Sequence, residues 1–156
     1  MAKKILLDIH SEPTYYTLIG IACHLRDYRL SYNLNKKLES GFAREQDLSV
    51  PIPGKQGSAG FSFFYYKDED HRNTYCLIAN RSESLILVPE MKQLDFLFLI
   101  EGEFKKNRKD HLIRCIGSIP NILTTVEVKL TDIKNYENFL TDVELHLINV
   151  IKRKRS

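Results

Sequence analysis

Apolar residues in the N-terminal part of the chain change their spacing, which predicts a strand followed by a helical region. Residues 3–9 are rich in aliphatic side chains and end at a polar stretch with a proline, as a short strand does. The next apolar residues recur at steps of three and four, typical of one helix face: Leu18, Ile21, Ala22, Leu25, Tyr28 and Tyr32. Asp27 is a suitable N-cap for a segment that ends near Gly41 and carries Leu30, Leu34 and Leu38. One bent helix and two helices both fit this pattern.

Runs of aromatic and β-branched residues predict strands in the middle of the chain. Residues 50–60 concentrate glycine and proline, which indicates a long surface loop. Residues 61–67 and 74–80 flank a charged segment, as the strands of a β-hairpin do. The aromatic side chains of the first run alternate between two faces, so we expect a central strand packed on both sides. Residues 85–88 and 94–101 predict two further strands.

The C-terminal third predicts a helix, a strand and a second helix. Residues 110–119 form the first helical segment, which Pro120 stops. Val126, Val128 and Leu130 alternate with polar residues, as in a half-exposed strand. Helical spacing then returns at Tyr136, Phe139, Leu140, Val143, Leu147, Val150 and Ile151. The alternative is a strand over residues 138–148.

These elements predict an α+β fold, with a single mixed or antiparallel sheet and helices packed on it. A length of 156 residues suits one hydrophobic core. We therefore expect a single α+β domain over residues 1–151 and a basic C-terminal tail over residues 152–156.

Composition indicates a globular protein that stays in the cytoplasm. Apolar residues make up 43% of the chain and charged residues 28%, as in ordinary soluble domains. No apolar run approaches the roughly 20 residues of a membrane helix. Asp8 ends the first apolar stretch before it reaches the length of a signal peptide core. The three cysteines are odd in number and widely separated, which argues against a disulfide framework and for a reducing compartment.

The formal net charge of +3 conceals two basic clusters. Removing their eight members from the 23 basic residues leaves 15 against 20 acidic ones, so the remainder carries about −5. Anion binding would therefore be local rather than a property of the whole domain. The candidate nucleic-acid-binding residues are Lys105, Lys106, Arg108 and Lys109 in one cluster, and Lys152, Arg153, Lys154 and Arg155 in the other.

One short string is the most distinctive motif of the chain. Residues 88–96 read Val-Pro-Glu, three variable residues, then Leu-Asp-Phe. This string resembles the signature of the IPExxxVDY family of small bacterial proteins. Pro89, Glu90 and Asp95 match in identity and spacing, while Val88, Leu94 and Phe96 are close replacements. Similarity to the family extends over roughly residues 17–102. The resemblance implies no activity, cofactor or catalytic residue, because the family has no established reaction.

Arg81, Pro89, Glu90 and Asp95 are the candidate signature residues, and two roles are open to them. Paired carboxylates can divide general acid and general base roles. The structural role is favoured, because a turn between apolar segments requires polar groups that satisfy its backbone. We expect Pro89 to enter the turn, Asp95 to bind backbone amides, and Glu90 to pair with Arg81 through two parallel hydrogen bonds.

Three other motifs resemble functional sites only in part. Cys23 and His24 are adjacent, but no spacing typical of zinc ligands accompanies them, so we expect His24 to pack in the core or on a helix. Gly54-Lys55 lacks the serine or threonine of a phosphate loop. Residues 60–66 approach an RNA-recognition motif without its basic first position, and a core strand is the favoured interpretation. We expect no metal and no cofactor.

The sequence favours a non-enzymatic, cytoplasmic domain that acts through protein contacts, with a protein partner or as a homodimer. The alternative is association with RNA or the ribosome through the two basic clusters. An enzyme of unrecognised type is the third and least favoured class. The sequence predicts no contact with a membrane.

Overall fold

Six antiparallel strands form one sheet in the computed structural model, which describes residues 15–155. The strand order across the sheet is β2-β3-β4-β5-β1-β6. The bounds are β1 Tyr16–Cys23, β2 Ala43–Pro51, β3 Ser58–Asp68, β4 Asn73–Ala79, β5 Phe96–Glu101 and β6 Ile122–Val128. The predicted α+β class with a single sheet is confirmed, and every strand pair is antiparallel. The strand predicted over residues 3–9 lies outside the described residues.

Within the described residues, three α-helices cover the two faces of this sheet. They are α1 Asp27–Leu38, α2 Lys106–Gly117 and α3 Tyr136–Arg155. Leu30 and Leu34 of α1 and Leu112 and Ile116 of α2 belong to one hydrophobic cluster. The apolar side of α3 belongs to a second cluster on the opposite face, through Phe139, Val143 and Leu147. Both faces of the sheet are therefore covered. The face that packs against α3 is called the first face, and the face that packs against α1 and α2 is called the second face.

The helix predicted from Leu18 to Leu25 is wrong, because residues 16–23 form strand β1. β1 lies inside the sheet between β5 and β6 and is buried on both faces. A strand with two buried faces carries a continuous apolar run without a period of two. The leucine and isoleucine spacing in this run matched a helix by coincidence. Only the second helical segment exists, as α1, and Arg26 rather than Asp27 occupies its N-cap position.

The loop predicted over residues 50–60 is shorter than expected. β2 continues to Pro51 and β3 starts at Ser58, so the turn between them spans residues 52–57. β2 is not apparent from the sequence because only Leu48 of its nine residues is buried. A strand at the edge of a sheet with a polar outer surface lacks the apolar alternation on which the prediction depends.

The hairpin of β3 and β4 and its two-sided packing are confirmed. Phe61 and Phe63 are fully buried on the first face, and Phe64 is buried on the second. In the C-terminal third, α2 begins at Lys106, four residues earlier than predicted, and the strand predicted around Val126 is β6. The alternative strand over residues 138–148 is wrong, because α3 spans them. α3 continues through residues 152–155, so the predicted tail is helical there.

Candidate functional site: the signature loop, the sheet edges and an aromatic hollow

The loop that carries the signature is held together by one buried side chain, Asn80. Its amide nitrogen donates to the carbonyl oxygens of Met91 (3.0 Å) and Leu94 (2.9 Å). Its amide oxygen accepts a hydrogen bond from the backbone N–H of Val88 at 2.8 Å. The Asn80 backbone adds two bonds, to the Asp95 carbonyl and from the Leu87 N–H. Because Asn80 has no exposed surface, these bonds replace water for the five backbone groups of the loop that it contacts.

The strand predicted over residues 85–88 is wrong. This stretch makes a single bridge, between Arg81 and Ile86, and otherwise follows the loop that Asn80 organises. Val88 is 2% exposed and packs into the cluster on the first face. The apolar residues that predicted a strand are thus explained by packing without strand pairing. Pro89 begins a single turn of 3-10 helix, Pro89–Met91, in agreement with its expected place at the turn entry.

The two signature carboxylates bind different parts of the backbone. Asp95 accepts a hydrogen bond from the Cys23 N–H at 2.9 Å and pairs with Arg81 at 3.2 Å. Glu90 accepts one from the Lys134 N–H at 2.6 Å. The predicted pairing of Glu90 with Arg81 is therefore wrong, since Arg81 reaches Asp95 and the carbonyl of Lys92 instead. Each carboxylate ties the loop to a neighbouring segment, and the two do not share a partner.

Neither signature acid joins a group that resembles a metal or nucleophile site. In the described range, no cluster of three or more histidine, cysteine or carboxylate side chains could hold a metal ion. His24 is exposed in the bend after β1, so the expectation of a packed histidine is wrong. Cys23 beside it is buried, and burial raises the pKa of its thiol. A buried thiol with a raised pKa is a poor nucleophile.

The two basic clusters lie on opposite faces of the sheet and are partly neutralised. In the first, Lys106 pairs with Asp110 at 3.1 Å and Lys109 with Glu127 at 2.9 Å. In the second, Lys154 pairs with Glu45 at 2.8 Å. Because α2 covers the second face and α3 the first, the clusters do not form one surface. Lys105 and Lys152 are exposed, and Arg108 is directed into a hollow described below.

The β2 edge of the sheet carries several features that prevent pairing with another strand. The register shifts between Glu45 and Leu48, which bends the strand. The carbonyl of Gln46 is already within 2.7 Å of His146 Nε2 on α3. Pro51 at the strand end has no N–H to donate. Charged residues also line this strand, and charge, proline and bulges are the usual protections of a sheet edge.

The β6 edge carries fewer of these features: it has no proline, and Glu127 is its one charged residue. β6 pairs with β1 on one side, and among the described residues no strand lies on its other side. Its five residues 122–126 are uncharged, and its only irregularity lies at Leu123, near one end. Leu123 is 60% exposed and Val126 is 41% exposed. A largely uncharged edge strand with exposed apolar side chains is a template for pairing with another chain.

A hollow of about 390 Å³ opens on the second face, between α1, α2 and the ends of β3 and β4. Five aromatic residues form much of its lining: Phe42, Tyr66, Tyr75, Phe98 and Phe104. Tyr66 and Tyr75 stack, with ring centroids 5.6 Å apart and an angle of 16° between the planes. Burial raises the pKa of both phenols, so they remain neutral hydrogen-bonding groups at physiological pH.

Arg108 is held inside this hollow by neutral partners. Its guanidinium lies 4.4 Å from the centre of the Phe104 ring and donates to Asn73 Oδ1 (3.0 Å) and the Tyr75 hydroxyl (3.3 Å). Asn73 is fully buried, and its amide nitrogen donates to the carbonyls of Glu101 and Glu103. The partners fix Arg108 without neutralising its charge. The sequence had assigned Arg108 to a nucleic-acid-binding cluster and gave no sign of this arrangement.

Comparison with known proteins gives no functional assignment. No protein family model matches the chain, and no curated protein matches it. The resemblance of residues 88–96 to the IPExxxVDY signature therefore stays a prediction. The described part of the chain contains no helix with the length and hydropathy required for a bilayer span.

Proposed function

We propose that this chain is a non-enzymatic, cytoplasmic interaction domain that forms a homodimer through strand β6. The observation that carries the proposal is the difference between the two sheet edges. β2 has a bulge, a proline and several charged side chains, whereas β6 has one charged residue, Glu127, after the uncharged residues 122–126, and exposes Leu123 and Val126. Antiparallel pairing of two β6 strands would join two six-stranded sheets into one and pair the β6 edge, which no strand of residues 15–155 covers.

The charges around β6 are compatible with a second copy of the same strand. In an antiparallel pair, a two-fold axis anywhere between residues 124 and 126 places Glu127 and Lys129 opposite uncharged residues of the other copy. Like charges that oppose each other across a sheet are destabilising, and this arrangement avoids them. The Glu127 carboxylate is also compensated within its own chain by Lys109. With the axis midway between residues 124 and 125, Leu123 of one copy lies opposite Val126 of the other, so that the exposed apolar side chains meet near the axis.

The experiment is light scattering coupled to size exclusion over a range of protein concentrations. We expect the wild-type chain to elute as a dimer that dissociates on dilution. A double change of Leu123 and Val126 to lysine should give a monomer, because it places like charges near the two-fold axis. Changing Leu145 and Ile148 to lysine is the matched control, since these exposed apolar residues lie on α3 and the dimer should persist.

Opposite charges distinguish edge pairing from a general loss of solubility or folding. A second variant carries glutamate at Leu123 and Val126, and we expect it to be monomeric alone. Mixed with the lysine variant, it should form a heterodimer, because the charges near the axis then attract. A wild-type monomer at every concentration would overturn the proposal, and so would dimers that tolerate both charged variants.

RNA association through the basic clusters has weaker support than dimerisation. Three of the cluster lysines already pair with acids of the same chain, and the clusters lie on opposite faces of the sheet. Binding through them would fall steeply between low and moderate salt. Placement in the cytoplasm is supported by the three free cysteines, which suit a reducing compartment.

A further inference from the structure

We propose that the hollow on the second face binds a small planar ring that carries one anionic group, a carboxylate or a phosphate. This site is separate from β6, and the inference does not depend on the dimer. It rests on two features that coincide in the hollow: an aromatic lining and a fixed guanidinium that has no acidic partner among residues 15–155.

The aromatic lining of the hollow suits a flat apolar ring. Phe42, Tyr75 and Phe98 are buried and pack edge to face, with ring centroids 5.5–6.4 Å apart. Such rings keep their positions because the core of the second face fixes them. Tyr66 and Phe104 are only partly buried, so they retain surface that a ligand could cover. A volume of about 390 Å³ lies at the small end of the range for ligand pockets, which favours a single-ring compound.

The guanidinium of Arg108 is the reason to expect an anionic group on the ligand. No carboxylate of the described residues lies within ion-pair distance of its guanidinium, although Glu39 and Asp68 also line the hollow. Asp68 is engaged by the His71 ring at 2.9 Å. The two bonds from Arg108 to Asn73 and Tyr75 use two of its five N–H donors and leave others available. A guanidinium presents these donors in a planar fork that matches a carboxylate or a phosphate.

The remaining polar groups of the lining are consistent with the same ligand. His111 and Cys115 follow Arg108 on the inner side of α2, with His111 Nε2 and Cys115 Sγ 3.4 Å apart, and Lys37 lines the hollow from the last turn of α1. Two basic side chains, Lys37 and Arg108, thus line the hollow from two helices. Cys115 also provides a reporter, since Cys23 and Cys76 are buried. A ligand in the hollow should shield this thiol from alkylation.

The experiment titrates the full chain with defined probes and follows both NMR chemical shifts and the rate of Cys115 alkylation by iodoacetamide. Benzoate and phenyl phosphate are the two anionic rings, and their relative affinity distinguishes carboxylate from phosphate recognition. Benzyl alcohol has the ring without the charge, while acetate and inorganic phosphate have the charge without the ring. We expect saturable binding of at least one anionic ring with a dissociation constant of about 1 mM, as suits a fragment of this size. The three control compounds should bind at least about tenfold more weakly.

Substitution of Arg108 tests its role, with Lys105 as the matched control. Arg108→Gln should weaken the anionic ring by about tenfold or more, because a charge-assisted pair of hydrogen bonds is lost. Binding of benzyl alcohol should change much less. Lys105→Gln removes an exposed cation from the same end of α2, outside the lining, and should leave affinity unchanged.

If Arg108→Gln unfolds the domain, the test still depends on whether the anionic rings slow alkylation of Cys115 in the wild-type chain. The inference is overturned if neither benzoate nor phenyl phosphate slows alkylation in a saturable way. It is also overturned if benzyl alcohol protects as well as benzoate, or if a folded Arg108→Gln variant binds the anionic ring with undiminished affinity.

Discussion

Asn80 is the residue on which the signature loop depends most strongly. Its side chain bonds three backbone groups, at Val88, Met91 and Leu94, in a fully buried position. Asn80→Ala would leave these groups without partners in the interior, where each costs about 1–3 kcal/mol. We expect the free energy of unfolding to fall by on the order of 3 kcal/mol, as measured by urea denaturation.

Asn149→Ala is the control for this substitution. Asn149 is exposed on α3, so its change should stay within about 0.5 kcal/mol of the wild type. If Asn80→Ala were equally mild, the loop would be held by its apolar contacts, and the hydrogen bonds of Asn80 would be dispensable.

Glu101, at the end of β5, should make stability depend on pH. Burial raises the pKa of its carboxyl above the ordinary 4.5, and Glu144 raises it further, while Lys67 acts in the opposite direction. Below pH 4.5 the group is protonated in both the folded and the unfolded chain. Between pH 4.5 and the raised folded value, the carboxyl ionises in the unfolded chain but not in the folded one, so this contribution to stability falls with pH and is lost once pH has passed the folded value.

Glu101→Gln should therefore stabilise the protein at pH 7 and make little difference at pH 4. The measurement is urea unfolding of variant and wild type at both values. The same change at exposed Glu103 is the matched control. A stabilisation by Glu101→Gln that is equal at pH 4 and pH 7 would show that ionisation of this carboxyl has no part in it.

At the scale of elements, the signature loop and β1 meet where Gly20 allows Leu94 to approach. A Cβ atom at position 20 would contact all three branch atoms of the Leu94 side chain, including Cγ at 3.1 Å and Cδ2 at 3.2 Å. Leu94 is 2% exposed and has little room to move. Gly20→Ala should therefore destabilise the fold by about 1–3 kcal/mol, the usual cost of overpacking. Urea unfolding measures this change.

A double-mutant cycle tests whether the cost arises at this contact. Leu94→Ala alone removes buried volume and should cost about 2–5 kcal/mol, but the double variant should cost less than the sum of the two. Gly117→Ala is the control, since a Cβ there would meet only Thr125 Oγ1 at 3.7 Å. It should be neutral or stabilising. Additive effects of Gly20→Ala and Leu94→Ala would contradict a direct clash.

The elements that the sequence predicted are those whose apolar residues follow a clear period or lie between marked turn residues. β3, β4, β5, α1 and α3 were found because their apolar residues follow a period or lie between turn residues. β1 was mistaken for a helix because both of its faces are buried, which removes the period of two. β2 was missed for the opposite reason, since Leu48 alone is buried. In both strands, the elements that cover each face are distant in sequence, so the local pattern of apolar and polar residues does not show which side chains are buried.

The candidate sites were predictable only where their residues are close in sequence. Pro89 lies at the entry to a turn and Asp95 binds a backbone amide, as local chemistry predicts, but the identity of that amide, Cys23, does not follow from the local sequence. The aromatic hollow joins residues from Lys37 to Cys115, which only the strand order brings together. Arg108 appeared as a member of a basic run because its partners, Asn73 and Tyr75, lie more than 30 positions away.

At the scale of the whole molecule, the sheet carries one hydrophobic cluster on each face, and both include residues of β4 and β5. These two strands also lie between other strands on both sides. Fraying of a sheet edge or detachment of a single helix would therefore not expose their amide protons to solvent. Deuterium exchange at Leu77 and Phe98 should then proceed through global opening, so that its rate reports the folding equilibrium of the entire domain.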